Sequence, residues 1–593
     1  MSRMRRGTRI VSALFVVALL AAACGGDGGS GGGPSGDDNR GVAEDEIPKG
    51  GTLRIAGTSD IDFMDPASSY YTLGAFLYRG VLRQLVTFPA DNDREVAHQL
   101  VPDLATSTGE ASDDGLTYTF TLKDGIKYGP ALGGEDVPGV TGEEITSHDM
   151  KYGIERIFIP SVGGGYPFYY LVIEGAQDFA DGEADEITGI ETPDDKTIVF
   201  HLTDPVGDFP LRLSMPAASP VPQEYAEQWD KDQDSNYDSH VVASGPYFIS
   251  EWVPEEQISL ERNEHWDEGT DDVRKAYVDA VDWKLGFDND VGVQKVFDSE
   301  YDLGLDVNPQ GPSLERVLSD PELKERFVNE VNPCTRFIFM NTQVEPFDDP
   351  LVREAVEFAI DRANIKTVFG GPITGPIATS IIPQNLPGGL SSDEFNPFAS
   401  PNMAGDMEKA RALMAEAGYP DGYDEKVLVV GASDTPHDKI AESVRTDLEE
   451  LGFSNLNVKT PAFPNQYTQF YQVPSQNVGI GTSAGWCSDF PDASTFIEPL
   501  FNGDNISESS NQNYSLIDDP EINAAIQDAL MIPLGPERDA AWEELNRRLT
   551  ELALWIPWSW DSSKIVYGED LVNIVYNDTF AQIDWVVAGV NHD

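Results

Sequence analysis

Gly481-Thr482-Ser483-Ala484-Gly485 has the G-x-S-x-G spacing in which a strained strand-to-helix turn presents a nucleophilic serine to a histidine base. In that arrangement the histidine follows the serine, and the only one downstream is His592, at the far end of the sequence. No His-Gly-Gly run precedes Ser483 to supply an oxyanion hole, so a hydrolase using Ser483 is an alternative without a visible base. The seven histidines, at 98, 148, 201, 240, 265, 437 and 592, lack the close spacing of a zinc helix motif. Asp60, Asp62 and Asp65 lack the glycine and terminal glutamate of a calcium loop and read as turn and cap residues. No phosphate-binding G-x-x-x-x-G-K-[ST] loop occurs, so the chain is not expected to hydrolyse ATP, and no metal or cofactor is expected. A different chemistry is available at Gly485-Trp486-Cys487-Ser488-Asp489-Phe490, after the apolar strand Val478-Gly479-Ile480. There an aromatic, a sulfur and a carboxylate crowd together, and the carboxylate either anchors a cation or forms a turn at the strand end.

The sequence also carries an address. Arg3, Arg5, Arg6 and Arg9 precede the 14-residue apolar run Ile10 to Ala23, which ends at Cys24. Such a run is a signal-peptide core and is shorter than the roughly 20 residues a membrane-spanning helix needs. Ala21, Ala22 and Ala23 resemble a lipobox, with the preferred leucine one place early at Leu20. Cleavage before Cys24 and a diacylglyceryl thioether on its sulfur would hold the protein outside the cytoplasm at a membrane surface. The Gly-, Ser-, Asp- and Pro-rich stretch from Gly25 to Gly36 marks a flexible tether, which is expected to span residues 24–49 after a signal peptide of residues 1–23. The other reading is a plain signal peptide with an incidental cysteine.

The balance of 39 Lys+Arg against 102 Asp+Glu gives a net charge of −63. Loss of residues 1–23 would leave 35 against 102, a charge of −67. That excess argues against nucleic acid and against adsorption to anionic lipid, so membrane attachment must rest on the lipid anchor. The acids are spread along the chain, as befits a solvated surface. Beyond Cys24 only Cys334 and Cys487 remain. Outside the cytoplasm they read as one disulfide, with two buried free thiols as the alternative.

The elements that must position these residues alternate between strands and helices. Thr52-Leu53-Arg54-Ile55-Ala56 opens the folded part near Gly50. Leu116, Tyr118, Phe120 and Leu122 alternate with threonines between two turn signals, and Ile198, Phe200 and Leu202 repeat the pattern after Asp194-Asp195-Lys196. Thr146, three residues before Asp149, starts a helix with Met150, Ile154 and Ile157 on one face. Asp349-Pro350 starts another, lined by Val352, Val356, Ala359 and Ile360. Further helices run through Ala410, Leu413, Met414 and Ala417 to Gly418, from His437 to Gly452, and through Trp542, Leu545, Leu549 and Leu552. The mixture over this length predicts a multidomain α/β protein.

Several ordered motifs resemble one family. They are Asp113 to Gly125; Gly245-Pro246-Tyr247-Phe248 with Leu260-Glu261-Arg262-Asn263 and Trp266; and Phe339-Met340-Asn341-Thr342 with Val352-Arg353-Glu354-Ala355 and Ala359-Ile360-Asp361-Arg362. Lys409-Ala410, Leu413 and Ala417-Gly418-Tyr419 complete the set. Together they resemble the peptide-binding branch of the extracellular solute-binding proteins of ABC importers, family 5, over nearly the whole chain after Cys24. The resemblance implies a two-lobed, three-domain periplasmic-binding-protein clamp. Domain I would take residues 50–94, 216–332 and 550–593, domain II 95–215 and domain III 333–549, with crossings near Asn332 and Thr550. It further implies that Gly485, Trp486 and Cys487 line the cleft, that Asp489 receives a peptide's α-ammonium group, and that Cys334 pairs with Cys487. Tyr70 and Tyr71 are candidate cleft walls, with core packing as the alternative. The implied partners are a peptide, or another solute such as a nickel complex, sugar or opine, and a membrane permease. The protein is expected to act as a monomer, without making or breaking bonds.

Overall fold

The computed structural model describes residues 42–231 and 234–592. The expected signal peptide, Cys24 and the Gly-rich stretch lie outside the described residues. Residues 42–49, read above as the end of the tether, pack onto the body: Ile47 is buried, and Gly50 N–H donates to the Tyr277 carbonyl.

Three larger sheets organise the chain. The first has the order Leu303–Leu305, Thr52–Gly57, Ala280–Lys284, Gln257–Arg262, Tyr247–Val253, with Thr52–Gly57 parallel to both neighbours and the other pairs antiparallel. The second is antiparallel, Glu110–Ala111, Thr117–Thr121, Thr197–His201, Ile190–Asp194. The third runs Leu456–Lys459, Val427–Val430, Ile480–Cys487, Val331–Met340, Trp555–Ser562, parallel at its start and antiparallel at its end. Mixed sheets with flanking helices make this an α/β fold.

Side-chain alternation explains where the cores lie. In the second sheet Tyr118 and Phe120 face inward with Ile198 and Phe200, while the intervening threonines stay polar and outside the core. The third sheet is covered on both faces. Ile338 and Met340 join one core with Val429 and Ile480, and Phe337 and Phe339 join another with Val430 and Ala484. That is why Phe337-Ile338-Phe339-Met340 reads as an unbroken apolar run.

The expected helices are present, with the starts that their caps predict. Thr146 N–H and Oγ1 both donate to Asp149 Oδ2, at 2.8 and 2.9 Å, ahead of Ser147–Arg156. Asp349 accepts from Leu351 N–H at the head of Pro350–Ala359. His437–Leu451 stops at Gly452, whose φ of 118° is the left-handed conformation that glycine tolerates.

Two crossings join the parts. Phe327–Val328 and Ile565–Val566 pair side by side, just outside the third sheet. The strand Trp555–Ser562 is hydrogen-bonded along Val331–Met340, so it belongs to the third sheet although it lies beyond the crossing expected near Thr550. The crossing that the resemblance implied falls at the end of the helix Pro536–Glu551, but the strand after it returns through the sheet before the chain leaves.

Candidate functional site

Asp489 follows the strand Ile480–Cys487, whose end is fixed from several sides. Cys334 and Cys487 face one another in register and form a disulfide that links positions 153 residues apart. The Trp486 indole N–H donates to the Thr495 carbonyl at 2.8 Å. Gly485 N–H donates to Tyr467 Oη at 2.9 Å, and Ser483 N–H to Tyr471 Oη at 3.3 Å. Val427–Val430 pairs with this strand only at Ile480 and Gly481, so tyrosine hydroxyls cap the donors beyond. An extended ligand lying along this edge would meet those hydroxyls rather than free N–H groups.

From the other side, the short helix Pro167–Tyr170 brings Tyr169 across the recess. Its hydroxyl donates to Asp489 Oδ2 at 2.5 Å, and its ring lies 5.5 Å from that of Phe490. The Tyr169 carbonyl is held by Arg212 Nη1 at 2.8 Å. Phe490 is buried in the core of the second sheet, although it follows directly from the third. Burial pushes the Asp489 carboxyl up to about 6, and the Tyr169 hydrogen bond pulls in the opposite direction. Among the described residues no Lys, Arg or His pairs with it. A recessed carboxylate without a cation is a receptor for one.

Asp62 builds the rest of this wall. Its carboxylate accepts from Ser69 Oγ at 2.7 Å and from the N–H groups of Tyr70 and Tyr71 at 2.6 and 3.1 Å. Tyr70 stacks on Tyr166 with ring centroids 4.7 Å apart, and Tyr166 stacks in turn near Tyr169. Tyr70 is 42% exposed and Tyr71 56%, so neither is a core residue. Yet burial raises the Tyr70 hydroxyl pKa, helped by the Asp489 charge. Water contact together with surrounding protein is the environment of a cleft wall. Cys487 is exposed, and Gly485 and Trp486 are half-buried. Tyr166, Phe168 and Tyr169 were not among the residues expected in the site. Their signal was the run Tyr166-Pro167-Phe168-Tyr169-Tyr170, four aromatics in five positions after a glycine-rich turn.

The other candidates separate. Ser483 lies within a continuous strand, buried, with its Oγ accepting from Ala432 N–H. That is not a nucleophile elbow. His592 Nε2 is 2.8 Å from Asp302 and also contacts Arg54. Asp302, Asp570 and His592 do cluster, but Arg54 Nη2 stands 2.7 Å from Asp302 and 3.8 Å from Asp570, so a guanidinium fills the cation position. Asp60 accepts from Trp252 Nε1 and Glu255 N–H, and Asp65 pairs with Arg156, so the aspartate trio serves three different places. A cavity of about 250 Å³ lies beside the first crossing, lined in part by Arg94, Val331, Asn385 and Glu394. Asp489 does not line it; Tyr169 and Phe490 lie against that carboxylate instead. The unpaired carboxylate makes Asp489 the stronger site.

Mixed sheets on either side of a recess, joined by adjacent crossings, define a two-lobed solute-binding clamp. The chain belongs to the bacterial extracellular solute-binding proteins, family 5, whose middle region matches residues 99–508. Solute binding is therefore its role, and the family is extracytoplasmic. No helix among the described residues is long and apolar enough to cross a membrane. The fold is similar to that of clavulanic acid biosynthesis oligopeptide binding protein 2, with a TM-score of 0.84 and 29% identity, over 93% of this chain and 97% of that one. The sequence is 26% identical to heme-binding protein A of Haemophilus influenzae, over 77% of this chain and 78% of the relative. It is 25% identical to the periplasmic oligopeptide-binding protein OppA of Salmonella typhimurium, over 75% and 76%.

Proposed function

We propose that the chain captures peptides in this recess and delivers them to an ABC permease, without chemical change to the ligand. The observation that carries the reading is the cation-free Asp489 carboxylate, held by Tyr169 in a recess walled by tyrosines. A peptide's α-ammonium group would pair with it, a charge-assisted bond of ~1.5 to 3 kcal/mol that every peptide can make. Gly485, Trp486, Cys487, Tyr70 and Tyr71 would form the surrounding wall. Two relatives of this chain, at 25% and 29% identity, are named for oligopeptide binding. The protein acts as a monomer in this reading, anchored through a lipid on Cys24.

The domain limits are part of the proposal: 50–94 and 216–332 in domain I, 95–215 in domain II, and domain III from 333. The pairing of Trp555–Ser562 favours a second crossing after Ser562, with the remaining residues in domain I. Mass spectrometry of ligands released from the purified protein tests the function. Recovered peptides support it, and a non-peptide solute as the only ligand overturns it. Intact-mass detection of a diacylglyceryl group on Cys24 tests the anchor.

A further inference from the structure

The cavity of about 250 Å³ beside the first crossing shares no lining residue with the Asp489 recess, and its lining mixes charges of both signs. Arg94 and Glu330 come to it from the chain before Val331, and Asn385, Ser391 and Glu394 from the chain beyond. Arg94 opens the short helix Arg94–Ala97, and its guanidinium is aimed by its partners. Nε donates to Asp578 Oδ2 at 2.7 Å, where His98 Nε2 also stands at 3.0 Å, and Nη2 reaches the Val331 carbonyl at 3.5 Å. Nη1 makes no hydrogen bond among the described residues and is left for the cavity. Asp578 closely follows Tyr576, which is buried in the core of the first sheet, whereas Leu386, next to Asn385, is buried in a core of the third. The two sides of the cavity therefore belong to different parts of the molecule.

Asn385 supplies an acceptor without a donor. Its Nδ2 donates to the Val331 carbonyl at 3.0 Å, which fixes the orientation of the amide, because the reverse would set two oxygens against each other. Oδ1 is thereby left buried and without a hydrogen bond to the protein. Such an atom is uncommon in a folded protein and calls for a donor from elsewhere. Glu394 adds a second acceptor. Its Oε2 takes both the N–H and the Oγ of Ser391, at 3.1 and 2.7 Å, and its Oε1 is left without a bond of its own.

A guanidinium edge and two open acceptors in one small cavity call for a ligand with an acceptor at one end and a donor at the other. A simple anion would meet Glu330 and Glu394. A metal ion would meet Arg94, and the group of described residues with metal-ligand spacing lies elsewhere, at Asp302. The volume is below the ~300–1,000 Å³ of sites for drug-sized molecules, so the ligand is small. We propose that this cavity is a second ligand site, which takes a free α-amino acid with its carboxylate on Arg94 and its ammonium group on Asn385 Oδ1 and Glu394. Both ends then form charge-assisted hydrogen bonds, the stronger kind. The site stands on the cavity alone and does not depend on what Asp489 binds. Because its two sides belong to different parts of the molecule, occupancy favours the arrangement that keeps Arg94 and Glu394 within reach of one ligand.

Calorimetry and saturation-transfer NMR test this on the full chain carrying Asp489→Asn, which removes the amine receptor of the recess. The probes are L-alanine, L-alanine amide, which lacks the carboxylate, and N-acetyl-L-alanine, which lacks the ammonium group. L-Alanine should bind at least tenfold more tightly than either, and adding R94Q or E394Q should weaken it at least tenfold. E394Q keeps the test decisive if R94Q disturbs folding, because Glu394 is exposed and hydrogen-bonded only to Ser391 among the described residues. No binding of L-alanine means that the cavity holds water only, and overturns the proposal. Equal binding of the amide or of the acetylated acid overturns it, as does an unchanged affinity for L-alanine in E394Q. The peptide reading is judged separately, by peptide binding to the wild type through Asp489, so either can fail without the other.

Discussion

Asp489 sets how binding should respond to pH. In the ligand-free protein its carboxyl is pushed up to about 6, and only the ionised form can hold an ammonium group. Affinity should be flat above about pH 7 and fall about tenfold per pH unit below 6, while Asp489→Asn should bind weakly and without this slope. Calorimetry from about pH 5 to about 8 checks both, and a decline centred near 4 would contradict the assignment. Tyr169 donates to this carboxylate and so opposes the effect of burial. Tyr169→Phe should therefore move the midpoint of the decline above 6. The stability consequence has a definite sign. A carboxyl whose folded value exceeds its unfolded value binds its proton more tightly when folded, so the stability it contributes is present at low pH and lost as pH rises through about 6. Asp489→Asn should raise the melting temperature of the ligand-free protein near pH 7.5 and leave it unchanged near pH 4.

At the scale of elements, the strand pair Val331–Met340 and Ile480–Cys487 is the frame of the site, and the disulfide fastens its end. A cross-link over 153 residues removes unfolded-state entropy worth about 5 kcal/mol in the chain-entropy view, and measured values usually fall below that. Replacing Cys334 and Cys487 together by alanine should lower stability by about 2 to 5 kcal/mol in urea denaturation. Much of the frame was legible in the sequence. Thr146 with Asp149, and Asp349 with Pro350, marked helix starts because a cap is a local interaction among neighbours in sequence. The alternation of Tyr118 and Phe120 marked a strand for the same reason. The disulfide was legible from the two cysteines that remain beyond Cys24 and again from the family resemblance, whereas the role given to Asp489 followed from the resemblance alone. Tyr169 did not, because its partner lies 320 positions away. The second crossing escaped as well: Trp555–Ser562 joins its sheet through pairing with Val331–Met340, which nothing local specifies.

At the scale of the whole molecule, a buried ion cluster joins the second sheet's part of the chain to the third's. Arg538, on the helix Pro536–Glu551, pairs with Asp492 at 2.8 Å and with Asp208 at 2.9 Å, and the side chains of Arg538 and Asp208 are fully buried. Asp208 also pairs with Arg212, and the two arginines hold its carboxyl below the ordinary value in spite of burial. Nearby, Gly207 N–H donates to the Leu530 carbonyl, and a side chain on Gly207 would collide with the Ile532 carbonyl oxygen. Asp208 and Gly207 follow the second sheet in sequence, whereas Asp492, Leu530, Ile532 and Arg538 pack with the third. The ion cluster and the bare glycine therefore serve one contact between the two lobes. Arg538→Met removes the shared cation and leaves Asp492 buried without it, a change that typically costs ~3 to 5 kcal/mol. Gly207→Ala tests the same contact by sterics and leaves every charge in place. Both variants should lower the melting temperature, and both should enlarge the radius of gyration measured by X-ray scattering. Because the pairing rests on a carboxyl with a depressed value, its stabilisation is present above the ordinary aspartate range and lost as pH falls below it, so the wild type should approach Arg538→Met in stability only in acid. Unchanged scattering in both variants would mean that the cluster stabilises one lobe internally and does not hold the clamp closed.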